Sequence, residues 1–369
     1  METLQELLEK DLSYLADSLR EEFKTMEGSN LLITGGGGFL GYYLVQSVLY
    51  WNEKRAAAPI DLTVVENYKR GAPEWLLGLR SRKHFRIVEH DASKPLPADL
   101  PPFQWIIHAA GIASPIYYRQ FPIETMDVNI NGLRHLLDGA RARAGGRDPV
   151  RGFMFYSSSE IYGDPAPEMI PTPEDYRGNV SCTGPRACYD ESKRYGETLC
   201  VNFARQYGLH ITMARPFNNY GPGLKITDRR VIPDFAGDVL AGRDIVMLSD
   251  GSPKRTFCYS ADAIAGYYKV LVRGRAGEPY NVGVETPEIS MRELAEKVVA
   301  HARDLYGYKG KVVLQPPKEA DYLVDNPQRR CPIITKARTE LGYDPRIGID
   351  EGLRRSMVWY GHNRVAPEA

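Results

Sequence analysis

The sequence predicts an α/β protein: a doubly wound parallel sheet with a smaller C-terminal α/β lobe. Three observations carry that expectation. Short, almost wholly apolar runs recur from residue 31, namely LLIT (31–34), LTVVE (62–66), FRIVE (85–89), WIIHAA (105–110), FMFYSS (153–158) and HITMAR (210–215). Helix-like segments separate them, such as Leu40 to Trp51, Glu124 to Arg143 and Tyr189 to Tyr207. Strands apolar on both sides are buried on both faces, as when parallel strands are joined by crossover helices. After Arg215 the character changes: turn-rich segments (PFNNYGPG, LSDGSPKR, VGVETPE, LQPPKEADYLVDNPQ) alternate with helical stretches around 231–241, 261–273 and 290–305. A ligand is expected at the carboxyl ends of the strands.

Taken in order, Leu4, Leu8, Leu12, Leu15, Leu19 and Phe23 fall at spacings of three and four among charged residues. Residues 1–28 therefore read as one amphipathic helix, docked on its own body or on a second subunit. Residues 29–216 read as the main domain, with a return contribution near 257–285, and 217–369 as the lobe. The 369 residues suit one large or two intimate domains, at roughly 150 residues per domain. Lys plus Arg (47) balance Asp plus Glu (47), so no basic field exists to hold a phosphate backbone, and nucleic acid is not an expected partner. Five cysteines form no CxxC pair, which fits a reducing compartment. The opening METLQELLEKDLSYLADSLREEF has no apolar h-region, and nowhere do about 18 apolar residues run together. A cytoplasmic protein without a membrane partner is expected.

The string GGGGFLG follows LLIT directly and opens a helix, placing Gly35, Gly38 and Gly41 three residues apart around Phe39 and Leu40. The tight turn, the approach of backbone to a pyrophosphate and the packing of helix on sheet all favour residues without a Cβ. Free N–H groups and the positive end of the helix then meet the anion. Strand, loop and helix together make a Rossmann-like dinucleotide site. Glu66 ends the second strand 25 residues after Gly41. A carboxylate there accepts from both ribose hydroxyls and repels a 2′-phosphate, so NAD is expected rather than NADP. The alternative is a solvated strand-end Glu. Asp91, after the third strand, is a further candidate to face the adenine.

Tyr189 and Lys193 stand four apart in CYDESKRYGE, so both project from one helix face. An ammonium beside the phenol favours the phenolate, bringing a group of ordinary pKa about 10 toward use as a base. Preceded by the dinucleotide loop and by the serine-bearing FMFYSSSE, this spacing becomes specific. At these residues the chain resembles the extended short-chain dehydrogenase/reductases that act on nucleotide sugars, from about residue 30 to 355. Six passages are similar to the UDP-glucuronate decarboxylases (UDP-xylose synthases) within them: ASPIYYRQFPIET (113–125), SSEIYGDP (158–165), CYDESKR (188–194), DRRVIPDF (228–235), RTFCY (255–259) and DNPQRRCPIITKAR (325–338).

That resemblance implies a nucleotide-linked hexuronate as substrate, foremost UDP-glucuronate, and an internal redox cycle. Tyr189 takes the proton of the 4-hydroxyl as C4 is oxidised, carbon dioxide leaves, and the same tightly held NAD reduces the ketone. It also implies that Ser158 bonds the 4-oxygen and that Glu160 positions the ring or handles a proton. Asn129 would orient active-site water and Lys193, so that Asn129, Tyr189 and Lys193 join the cofactor-binding set. Asn218, Arg230, Arg255 and Arg330 would contact the substrate, and an arginine grips a diphosphate bidentately. The resemblance further implies a homodimer, packed through helices around 124–143 and 189–207.

Ser159 stands where the related 4,6-dehydratases have an acid, and a serine does not serve as one at neutral pH. The chain departs from the decarboxylase pattern at Gly111-Ile112, at Ser158 and at Gly223-Leu224. A 4-epimerase or 4,6-dehydratase is the alternative, and a non-catalytic NAD-binding scaffold the third reading. No metal site is expected: the seven His are scattered, and His108 reads as a packed residue.

Overall fold

In a computed structural model, residues 3–315 and 327–363 are described. Most of the turn-rich stretch 314–328, with Asp325 and Asn326 of the last similar passage, lies outside them. The apolar runs form β1 (Asn30–Thr34), β2 (Asp61–Glu66), β3 (Phe85–Glu89), β4 (Trp105–His108), β5 (Gly152–Tyr156) and β6 (Ile211–Pro216). A seventh strand, Pro279–Val282, joins beside β6, and the order is seventh–β6–β5–β4–β1–β2–β3, parallel throughout. This strand was not among the predicted ones because it is four residues long and carries Pro279 and Asn281. Asn281 is tolerated in the core because its amide donates to the carbonyls of Thr172 and Ile333, each at 3.0 Å.

Alternate residues of each strand feed opposite layers, as the two-residue period requires. Ile33, Val64, Ile107 and Met154 face one layer, with the helices Phe39–Lys54 and Ser260–Arg273 over it. Leu32, Val65, Ile106 and Phe153 face the other, under Leu133–Ala142 and Ala187–Tyr207. The order of the strands reverses between β1 and β4, so the crevice for a ligand opens there.

Two expected helices are subdivided. The N-terminal one is Leu4–Ser18, begun by a Thr3/Glu6 capping box, followed after Leu19 by Arg20–Met26. The segment Glu124 to Arg143 contains the helix Pro122–Asp127, a π turn over Val128–Gly132 and the helix Leu133–Ala142. The widened turn carries Asn129, and it brings Gly132 so close to Ala92 that a Cβ would lie 2.4 Å from the Ala92 carbonyl oxygen. The smaller lobe holds the helices Val231–Leu240, Met291–Tyr306 and Thr335–Leu341 with short strands, and the helix Ile349–His362 closes it. No helix among the described residues is long and apolar enough to cross a membrane.

Candidate active site

The loop after β1 is shaped by close approach. Gly35 sits at φ +73°, and a Cβ there would come within 2.6 Å of the Ala110 Cα; on Gly41 it would meet the Gly36 carbonyl oxygen at 2.2 Å. No side chain caps the helix that Phe39 and Leu40 begin, so its first N–H groups are left to an anion. Glu66 accepts from the Gly37 N–H at 2.9 Å and from the Asn67 N–H at 3.0 Å. The oxygen facing Asn67 also accepts from the Tyr68 N–H at 3.3 Å, so a second lone pair stays open on the oxygen facing Gly37, where a ribose hydroxyl would fit. This cradle, with an ionisable acceptor at the end of β2, fits NAD. Asp91, after β3, accepts from the Ser93 N–H at 3.0 Å and lies 3.6 Å from the Lys69 ammonium.

Tyr189 and Lys193 are both buried on the helix Ala187–Tyr207. The Lys193 ammonium donates to the Tyr156 carbonyl at 2.7 Å and lies 5.7 Å from the centre of the Tyr189 ring. Tyr118 stacks on Tyr189 with ring centres 5.1 Å apart and planes 10° from parallel. The expected fall of the phenol's pKa is not what the protein's own groups produce. Burial pushes Tyr189 up to about 12, opposed by its hydrogen bond with Ser158 and by the Arg230 charge. Burial also pulls Lys193 down to about 7, so its charge is only partly present near neutrality. Desolvation outweighs the pairing of the two groups.

Asn129 donates to the Ser192 hydroxyl at 2.9 Å, and its buried Oδ1 has no partner among the described residues. A Cβ on Gly111 would lie 3.1 Å from that oxygen and 3.6 Å from the Lys193 ammonium, so this departure leaves open the side where Asn129 and Lys193 converge.

Ser158 caps the 3₁₀ turn Ser159–Tyr162 by accepting from the Glu160 N–H at 3.1 Å. The turn presents Glu160 to Arg186 and Arg330, which both pair with it. Glu160 is held down to about 2: these guanidinium groups, with Arg255, outweigh its burial, the largest opposing influence. Arg255 and Arg330 are register partners on the parallel strands Lys254–Arg255 and Arg329–Arg330. Burial first and then the Arg330 charge lower Arg255 to about 9. Arg186 also lies 3.9 Å from the buried Asp190 carboxylate, so three guanidinium groups face two carboxylates and one positive charge is left over. Asn218, at φ +41°, donates to the Thr256 carbonyl at 2.9 Å beside Arg255. Arg230 opens the helix Val231–Leu240, its Nε 3.0 Å from Asp228.

Sequence reasoning missed Arg186 and Tyr118. Arg186 was legible as a charge three residues before Tyr189, one helical turn away on the same side. Nothing local marked Tyr118, whose partner is 71 residues distant. His108 is wholly buried between the Thr34 hydroxyl at 2.8 Å and the Val128 carbonyl at 3.2 Å. Among the described residues no cluster suits a metal ion, and all five cysteines are free thiols.

A Rossmann-like fold with buried Tyr and Lys beside a cluster of arginines defines a class of nucleotide-dependent enzymes. The chain belongs to the NAD dependent epimerase/dehydratase family, whose model matches residues 31–283. More particularly, it is 36% identical to UDP-glucuronic acid decarboxylase 5 of Arabidopsis thaliana, over 91% of this chain and 90% of that one. It is 31% identical to UDP-glucuronic acid decarboxylase 1 of Xenopus tropicalis, over 96% and 82%. Among solved structures, the DesIV dTDP-glucose 4,6-dehydratase of Streptomyces venezuelae, with NAD and TYD bound, is 26% identical. It superposes with a TM-score of 0.75 over 91% of this chain and 98% of its own. An epimerase of Methanothermobacter thermautotrophicus shares the fold at 24% identity and a TM-score of 0.78, over 94% and 96%.

Proposed function

We propose that this protein is an NAD-dependent decarboxylase of a nucleotide-linked hexuronate, converting UDP-glucuronate to UDP-xylose through a 4-keto intermediate. The observation that carries this reading is the 36% identity, spread over nine-tenths of both chains, to a UDP-glucuronic acid decarboxylase. Ser159, standing where dehydratases use an acid, favours it over dehydration. Residues 29–216, with 257–285 returning to the sheet, are assigned to NAD, and 217–369 to the nucleotide sugar.

Gly35, Gly38, Phe39, Leu40 and Gly41 would hold the pyrophosphate, with Glu66 at the ribose and Asp91 toward the adenine. NAD held there would accept hydride from C4, making the carboxylate β to a ketone and able to leave as carbon dioxide with the enolate then protonated at C5, and its reduced form would return the hydride to C4. Tyr189 removes the proton of the 4-hydroxyl and later returns it, while Ser158 bonds the same oxygen. A positive nicotinamide ring held beside it would act against the desolvation that raises the phenol. Lys193 and Asn129 orient and charge this corner. Glu160, ionised and paired with two arginines, positions the ring rather than exchanging a proton. Asn218, Arg230, Arg255 and Arg330 receive the anionic groups of the substrate.

Incubation of the purified holoenzyme with UDP-glucuronate, followed by mass spectrometry, tests the reading. A product lighter by one carbon dioxide is expected. Loss of water marks a dehydratase, and an unchanged mass with an altered sugar marks an epimerase. Protein that turns over no nucleotide sugar is the scaffold.

The reading extends to a cytoplasmic homodimer. Free thiols accord with a reducing compartment. Phe121, Ile123, Met126 and Tyr195 are exposed apolar side chains on or beside the helices expected to pair.

A further inference from the structure

The segment 221–230 leaves the lobe and lies across the loops that surround the dinucleotide crevice. It touches the segments that follow β1, β2 and β4. At the first turn of the helix Phe39–Lys54, Gly223 sits at φ +92°, and a Cβ would meet the Tyr42 Cβ at 2.4 Å and the Phe39 carbonyl oxygen at 2.7 Å. At the loop after β4, the Ser114 hydroxyl donates to the Asp228 carbonyl at 3.0 Å. At the loop after β2, the Lys225 ammonium donates to the Arg70 carbonyl at 2.6 Å. The Arg70 guanidinium donates in turn to the Asp228 carboxylate at 3.2 Å and lies 4.3 Å above the Tyr117 ring.

The Gly223 departure thereby gains a physical reason, since no side chain fits between this segment and the helix that begins at Phe39. Arg229, next to Asp228, is at φ +69°, a conformation that an L residue keeps only where contacts on both sides enforce it. Arg70 differs from an ordinary surface arginine: Asp228 is only 4% exposed, and a ring supports the guanidinium from below.

We propose that Arg70 is a positioning residue that latches segment 221–230 across the mouth of the dinucleotide site and keeps the reduced cofactor bound between oxidation and reduction. The need for a latch rests on the decarboxylase reading. That reaction takes two electrons from C4 and must return the same two to the sugar, so loss of the reduced cofactor in between strands a ketone. Arg70 acts through the segment it holds, by way of Asp228 and Lys225.

The test is the release of NADH from preloaded holoenzyme into excess NAD, followed by nucleotide fluorescence with no sugar present. Arg70→Ala and Asp228→Asn are expected to release NADH about tenfold faster, a loss between that of an exposed pair and that of a fully buried one. Arg70→Lys is expected to restore part of the retention. The double variant should be no faster than Asp228→Asn alone, because that change already breaks the Arg70 bridge along with the Arg230 pair. With UDP-glucuronate, Arg70→Ala should release a larger share of product as the 4-keto sugar. Unchanged release in Arg70→Ala overturns the proposal. So does equal acceleration in Arg82→Ala, which breaks the surface pair with Glu53, or acceleration matched by a fall in Tm that Lys does not restore. The release assay needs no sugar, so its failure is distinct from failure of the decarboxylase reading, which the mass of the product decides.

Discussion

Tyr189 shows how two neighbouring charges are overruled by their surroundings. One helical turn from Lys193, it nevertheless has its pKa raised, because both groups are taken out of water. Tyr189→Phe keeps the ring and its stack on Tyr118 while removing the transferable proton. Turnover of UDP-glucuronate should fall by about 10²- to 10⁴-fold with NAD content unchanged, the usual range for a lost general base. Normal turnover would remove the phenol from the mechanism. His108 carries a prediction about stability. Burial holds its imidazole down to about 3 from an ordinary 6.5, so the folded protein keeps it neutral while the unfolded chain binds a proton below 6.5. This contribution is whole above pH 6.5 and is lost as pH falls toward 3, at up to about 1.4 kcal/mol per pH unit. Urea denaturation across that window should show a flatter acid limb for His108→Gln; parallel curves would refute the assignment.

The N-terminal helix was readable from its leucine stripe, but its polar anchor was not. Asp11 accepts from the Tyr43 hydroxyl at 2.5 Å and the Tyr259 hydroxyl at 2.6 Å, and pairs with Arg355. It joins the helix Leu4–Ser18 to Phe39–Lys54, through a partner 32 residues on, and to Ile349–His362, through one 344 residues on. Asp11→Ala leaves Arg355 buried beside one partner fewer and should cost about 3–5 kcal/mol of unfolding free energy, read from denaturant midpoints. A loss below about 1 kcal/mol, the range of a surface pair, would show that the cage contributes little. The π turn at Val128–Gly132 had no local signal either. Its apolar spacing resembles an ordinary helix, and only the approach of Gly132 to the Ala92 carbonyl distinguishes it.

For the whole molecule, the homodimer reading makes its own prediction. Ile123 is 65% exposed, an unusual position for a large apolar side chain at the start of a helix. Ile123→Glu should shift sedimentation at micromolar concentration from dimer to monomer, and a wild-type monomer would remove the assembly. Local pattern was sufficient for the parallel sheet, the glycine loop, Glu66 at the end of β2 and the Tyr189–Lys193 face. Apolar period, turn chemistry and helical spacing act within a few residues, and a chain met in isolation already displays them. The seventh strand, the Arg186–Glu160–Arg330 cluster, the stacked Tyr118 and the Arg70–Asp228 bridge depended on folding. Each joins residues that only the crossing of the chain brings together, and the burial that accompanies it sets which charges survive.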